Sequence, residues 1–361
     1  MRHLKLWPKL ALVSALFLIS FAAVTYKTTS SINALAIAAS NDRRVPASSA
    51  RHRYTDEFRR SDAIPYPSDN ARTPDRELLG RVLFFDPRLS GSAWISCATC
   101  HNPGLSWGDG LPGALGHDMA LLGRRTPTIL NLAWSPALFW DGRAESLEEQ
   151  ALGPIEAAGE MNMKLADMVG RLEGIAGYPA LFEKAYPGES ISTGTVAKAL
   201  ATFERGLVSA QAPLDRWASG EEPAISPAAA RGFALFNEKA RCATCHSGWR
   251  FTDDGFYDIG IEHNDVGRGK VTPMIPLTHF AFKTPTLRNV ATRAPYMHDG
   301  SIATLENVID HYNRGGVVHR ASLSPEIKPL DLTSGEKQDL LAFLETLTSP
   351  DPEARVPVLP R

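Results

Sequence analysis

Cysteine is scarce in this chain, with four among 361 residues. That is too few for a disulfide framework to stand in for a hydrophobic core. Basic tracts are missing as well: 38 Lys and Arg stand against 40 Asp and Glu, for a formal net charge of −2. Nothing there would hold a nucleic acid. The uncharged run from Leu10 to Val24, fifteen residues, falls short of the roughly 20 that a spanning helix needs. Alternating apolar and polar stretches that would make strands are few, which argues against a sheet-rich fold.

What is present compensates for each shortage. All four cysteines fall in one pentapeptide that occurs twice, Cys97-Ala98-Thr99-Cys100-His101 and Cys242-Ala243-Thr244-Cys245-His246. C-x-x-C-H is the attachment pattern of c-type haem: two thiols bond to the porphyrin and the adjoining histidine binds the iron. Two disulfides, a zinc site or a redox dithiol would also use four cysteines, but none explains a histidine directly after both pairs. The chain therefore reads as a protein with two covalent haems c.

The amino terminus, Met1-Arg2-His3-Leu4-Lys5 with Lys9, is a basic lead before that apolar run. Small residues follow at Ala34-Leu35-Ala36 and Ala36-Ile37-Ala38. Residues 1–38 are expected to be a secretory signal, or alternatively an uncleaved anchor that ties the protein to a membrane. Export to the periplasm agrees with haem c, since thiols would otherwise oxidise outside the cytoplasm. Residues 39–70, rich in Arg, Ser and Pro, are expected to be an extended lead-in. The remaining stretch of about 290 residues suits two domains. We place them at 71–215 and 216–350, each with one haem, and leave 351–361 as a tail.

Helix signals dominate both parts. Thr73-Pro74-Asp75 opens a helix whose apolar face is Leu78, Leu79, Val82 and Leu83. Ser146-Leu147-Glu148-Glu149 is a capping box for a short helix that Gly153-Pro154 should stop. Val196, Leu200, Phe203 and Leu207 recur at helical spacing from about Thr195, and Ser226-Pro227 opens a helix bearing Phe233 and Phe236 that runs towards Cys242. Thr304 caps a further helix, and Thr333-Ser334-Gly335-Glu336 is a second capping box before Leu340, Leu341, Leu344 and Leu347. The expected fold is mainly α, two cytochrome c-like haem domains with long loops and little strand.

An iron with one axial histidine has a sixth position, and its occupant largely decides between electron transfer and catalysis. In the first half the candidate is His117, in the glycine-rich loop between Asn102 and Pro136. In the second half Met274, Met297, His298, His311 and Tyr312 are available. Leu305, Val308, Ile309 and Tyr312 share one helical face, so the tyrosine points inward and His311 turns about 100° away. A phenol sent into a core needs a polar partner, which iron or a backbone carbonyl could supply.

Four further segments carry a family resemblance: Leu138-Phe139-Trp140-Asp141-Gly142-Arg143, Leu147 to Pro154, Phe282 to Asn289, and Ala294-Pro295-Tyr296-Met297-His298-Asp299-Gly300. Together with the two haem motifs they resemble bacterial dihaem cytochrome c peroxidases and their MauG-like relatives. The resemblance runs from about residue 70 to 348. It implies that the haem on His101 meets hydrogen peroxide and that the haem on His246 relays electrons. It implies that Trp140 carries electrons between them, that Gln150, Pro154 and Glu160 line the distal pocket, and that His117 can be a displaceable ligand of the first iron. Splitting an O–O bond requires a proton to move from the near oxygen to the departing one, which suits a carboxylate such as Glu160, with Glu156 as the competitor.

In MauG-like proteins tyrosine stands where this chain has Tyr312, whereas the peroxidases commonly place a methionine on the relay haem. A phenol oxygen is the harder donor and stabilises oxidised iron. The resemblance further implies a calcium ion, bound by an asparagine side chain and the carbonyls of Arg293 and Pro295. The asparagine position, however, is Arg125, which cannot ligate a cation; Asn131 or water would have to complete the site. The expected electron source is a small cytochrome c or cupredoxin, or a partner protein that is itself oxidised. A dihaem electron carrier without catalysis is the alternative.

Overall fold

Most helices begin where the sequence supplies a cap, as a computed structural model of residues 55–61 and 63–361 shows. The expected signal or anchor, 1–38, and part of the lead-in lie outside these residues. Helix α1, Pro74–Phe85, starts with the Thr73 side chain accepting from the Arg76 backbone N–H at 3.2 Å. Its buried face is Leu79, Val82, Leu83 and Phe84, while Leu78 is exposed. The first haem motif is the single turn α2, Cys97–Cys100.

Helix α3, Leu147–Glu156, is capped by Ser146. It does not stop at Gly153-Pro154, as expected, but runs through them. A proline in the last turn forfeits one backbone bond, and the Ala157 N–H still reaches the Gly153 carbonyl at 3.0 Å. Helices α4 (Leu165–Glu173) and α5 (Gly177–Ala185) carry no side-chain cap, which is why no start signal announces them. Helix α6, Thr193–Arg205, begins two residues before the expected start because Ser192 caps it. After α7 (Pro213–Ala218) come α8 (Pro227–Asn237), α9 (Leu305–Asn313) and α10 (Ser334–Glu345), opened by Ser226, Thr304 and the Thr333/Glu336 box. Among the described residues the strands are β1 (Phe256–Tyr257) and β2 (Phe282–Lys283), one antiparallel pair, so the fold is mainly helical as expected. No helix among them is long and apolar enough to cross a membrane.

The large buried side chains gather in separate clusters. One is built from α1, α5 and α6 with Trp107; the other from α8 and α10 with Trp217 and Phe251. Phe58 of the lead-in stacks on Phe251 at 4.7 Å and so belongs to the second cluster. The expected tail is also used: Leu359 packs on the first cluster, and the Arg361 carbonyl accepts from Gly177.

Each cluster rests on one close helix crossing. An ideal Cβ on Gly80 of α1 would lie 2.0 Å from the Ala199 carbonyl oxygen of α6, and one on Gly232 of α8 would lie 1.9 Å from that of Asp339 in α10. Only glycine allows either approach.

The two halves repeat each other over a longer stretch than the haem motif. Residues 125–154 align without gaps on 283–312, an offset of 158, giving Pro127-Thr128 against Pro285-Thr286, Asn131 against Asn289, and Asp141-Gly142 against Asp299-Gly300. The backbone follows. Asn131 and Asn289 are both left-handed (φ 62° and 59°), as are Phe139 and Met297 (66° and 71°). Asn131 and Asn289 each accept, through the side-chain oxygen, the backbone N–H of a serine, Ser209 at 3.0 Å and Ser349 at 3.1 Å. In this register Trp140 corresponds to His298, Pro154 to Tyr312, and Arg125 to Lys283.

Candidate active site

Both haem motifs open onto one cavity of about 1010 Å³. Cys97, Cys100, Cys242 and Cys245 line it, and none is in a disulfide. Each motif histidine is held from behind. His101 Nδ1 lies 3.2 Å from the Trp107 carbonyl and His246 Nδ1 lies 2.9 Å from that of Phe251. A carbonyl on Nδ1 makes that nitrogen the proton-bearing one and turns the Nε2 lone pair outward. Burial lowers the pKa of both imidazoles, which keeps them neutral, as a metal ligand must be. The free thiols, the oriented imidazoles and a largely apolar cavity fit two haems c.

The wall at the first motif contains Gln150 and Pro154 from α3 and Glu160 from the turn that follows. Burial raises the Glu160 pKa, and the opposing pull of the Arg143 guanidinium is the lesser effect. Glu156 is exposed and is not part of the wall, so the structure separates it from its competitor. His117 is tied to that turn through its backbone, its N–H reaching the Glu160 carbonyl at 2.8 Å. Its ring lies outside the cavity lining, with Nε2 3.6 Å from Asp118. The tie needs a glycine beside it, since a Cβ on Gly116 would meet the Gly159 carbonyl oxygen at 1.8 Å.

At the second motif Tyr312 lines the cavity from α9. Its phenol pKa is raised, first by burial and then by the nearby Cys242 and Cys245 sulfurs. His311, expected to turn away from the interior, is instead buried: its Nε2 lies 2.8 Å from the Ile259 carbonyl, because a loop packs over the other side of α9. Met274 is exposed at 88%, which removes it from the candidates, while Met297 and His298 line the cavity.

Trp140 joins the two halves. Its indole N–H donates to the Arg125 carbonyl at 2.8 Å, and its ring meets the edge of His298 at 6.5 Å between centroids. Two backbone bonds at corresponding positions run beside it, Arg125 N–H to the His298 carbonyl at 2.7 Å and Lys283 N–H to the Trp140 carbonyl at 2.8 Å.

One wall residue escaped the sequence reading. Glu204 of α6 is buried in the cavity wall with Oε2 unpartnered, and burial pushes its pKa up to about 8. The available signal was an acid four residues after Leu200, on the apolar stripe of its helix.

The calcium site implied by the family resemblance does not fit these residues. Arg125 Nη2 donates to the Arg293 carbonyl at 2.5 Å, so a guanidinium already occupies one of the expected ligands. The Asn131 side-chain oxygen is engaged by Ser209.

Comparison with known proteins agrees with this construction. The family model described as di-haem cytochrome c peroxidase matches residues 74–223. The chain is 54% identical over 306 residues to the methylamine utilization protein MauG of Methylorubrum extorquens AM1, covering 84% of this chain and 86% of that one. It is 33% identical over 293 residues to the cytochrome c551 peroxidase of Pseudomonas aeruginosa, covering 78% and 81%. Among solved structures, a MauG-like protein associated with microbial copper homeostasis superposes with a TM-score of 0.74 at 34% identity, over 80% of this chain and 95% of that one. The chain therefore belongs to the di-haem cytochrome c peroxidase/MauG family, peroxidase-type oxidoreductases that carry two c-type haems.

Proposed function

We propose that the protein is a periplasmic enzyme that reduces hydrogen peroxide at the haem of residues 71–215, with electrons relayed through the haem of residues 216–350. They come from a small cytochrome c or cupredoxin, or from a partner protein oxidised in the process. The observation that carries this reading is one scaffold position with two occupants: Pro154 in the first half and Tyr312 in the second. A proline side chain has no donor atom to offer a metal, and a phenol has one. The first site thus offers a bound haem no side-chain donor at this position, whereas the second would offer the Tyr312 phenol.

The haem irons supply the electron exchange by which hydrogen peroxide, two protons and two electrons become two waters. The protein's own groups do the rest. Glu160 takes the proton from the near oxygen of peroxide and returns it to the departing one, a role helped by a pKa raised through burial. Gln150 orients the departing oxygen by hydrogen bonding. Pro154 lines the same wall with a side chain that has no donor atom, so it supplies no permanent ligand there. His117, tied through its backbone N–H to the Glu160 carbonyl, would be the displaceable ligand of the first haem in the oxidised protein. Trp140, held by Arg125 and set against His298, is the aromatic bridge for electrons. Tyr312 would offer its phenol oxygen to the second haem and so favour the oxidised form, which inclines the enzyme towards oxidising a partner protein. Calcium is left out of this set because of the Arg125 guanidinium.

Two measurements test the reading. Tyr312→Phe should alter the low-spin ferric signal of one haem and leave the other unchanged; an unchanged spectrum would remove Tyr312 as a ligand. The wild-type holoprotein should consume peroxide in the presence of a reduced donor. No consumption would leave a plain electron carrier.

A further inference from the structure

We propose that Arg125 is a built-in cation at the seam between the two halves, taking the place of a bound calcium, so that the protein assembles and works without that metal. The inference does not depend on which haem meets peroxide.

The observations converge on one spot. The Arg125 side chain is 9% exposed and crosses from the first half to donate to the Arg293 carbonyl of the second at 2.5 Å. The same residue donates its backbone N–H to His298 at 2.7 Å and accepts the Trp140 indole N–H at 2.8 Å. It thus ties together the residues that a metal at this seam would otherwise have to organise. Calcium takes 6–8 oxygen ligands, and arginine supplies none. The neighbouring side chain of Arg293 is a second buried guanidinium, donating to the Asn289 carbonyl at 3.2 Å and the Thr286 carbonyl at 2.7 Å. Two positive groups at one seam repel a divalent cation, and together they carry the same formal charge.

The internal repeat supplies an independent argument. The counterpart of Arg125 is Lys283, and the counterpart of Arg293 is Ser135. Lys283 reaches across the seam in the opposite direction, with Nζ 3.5 Å from Ser135 Oγ of the first half, while it pairs at 3.2 Å with Asp254 of its own half. Corresponding positions in the two halves therefore each send a cation across to the other half. A seam built this way has its positive charges in covalent form, fixed by the fold and independent of ion supply.

The test uses the holoprotein with both haems attached. After dialysis against a calcium chelator, metal analysis should find calcium well below one per chain, with the ferric absorption and spin-resonance spectra unchanged. Millimolar calcium should not shift the melting temperature. Arg125→Asn, which restores a side-chain oxygen and removes the blocking cation, should acquire a calcium-dependent rise in melting temperature, whereas Arg125→Lys should stay indifferent to calcium. One calcium per wild-type chain surviving dialysis, or a haem spectrum lost on chelation and restored by calcium, would overturn the proposal. So would a folded Arg125→Asn protein that ignores calcium. If that variant fails to fold, the wild-type measurements alone decide.

Discussion

Glu160→Gln isolates the proton step from everything else in the cavity. The substitution preserves size and hydrogen-bonding reach and removes the capacity to accept a proton and give it back. Glu160 is half-buried in the wall beside the first haem motif, where burial raises its pKa and the Arg143 charge opposes only in part. A carboxylate moved towards neutrality is well matched to taking a proton and releasing it in one event. Positioned acid–base groups contribute roughly 10²–10⁴-fold. We expect the lower end, because Gln150 remains in the same wall to hydrogen-bond the departing oxygen. A 10²-fold loss corresponds to about 2.7 kcal/mol in the barrier. The assay is rapid mixing of the holoprotein with hydrogen peroxide, following haem absorbance for the second-order rate constant over a range of pH. Glu156→Gln is the control. Glu156 is exposed and outside the cavity wall, so its rate should stay within about twofold of wild type, an effect under 0.5 kcal/mol. Kinetics in Glu160→Gln that match the wild type at every pH would refute the shuttle.

The remaining predictions concern the bridge, the buried acid and the helix crossings. Trp140→Phe keeps an aromatic ring but loses the indole N–H and its bond to Arg125, so electron exchange between the two haems should slow by about tenfold or more while peroxide binding persists; equal exchange rates in stopped-flow would remove Trp140 from the path. Glu204 binds a proton more tightly folded than unfolded, since its pKa is raised from 4.5 to about 8. Its stabilising contribution is complete below the unfolded value and is lost as pH rises to about 8, at about 1.4 kcal/mol per pH unit. Glu204→Gln should flatten the melting-temperature profile in that window and stabilise the protein at its alkaline end, and parallel profiles would contradict this. Gly232→Ala adds a methyl group where a backbone oxygen lies 1.9 Å away. Overpacking costs about 1–3 kcal/mol and the gain in helix propensity returns about 1. The melting temperature should drop by several degrees, and no change would mean that α8 and α10 can separate freely.

The sequence alone determined the haem chemistry and most of the helix starts. Covalent attachment depends on a local pentapeptide, and a cap is satisfied within four residues, so Cys97 to His101 and Thr333 to Glu336 reveal their roles without a fold. Local signals also failed locally. Pro154 was expected to end a helix, yet a proline in the last turn costs only one bond, and the uncapped starts of α4 and α5 left no mark. The internal repeat was present in the letters at a spacing of 158, but its meaning depended on seeing that paired positions meet across the seam. Tertiary structure alone decided which carboxylate enters the cavity wall, Glu160 rather than Glu156, because one turn of chain separates the wall from solvent. It buried His311 against the Ile259 carbonyl, although helical periodicity had turned that ring outward, since a single helix face carries no information about a loop packed on its other side. It also brought Arg125 to the Arg293 carbonyl across 168 residues, a contact that no local pattern encodes and that only the docking of the two halves creates.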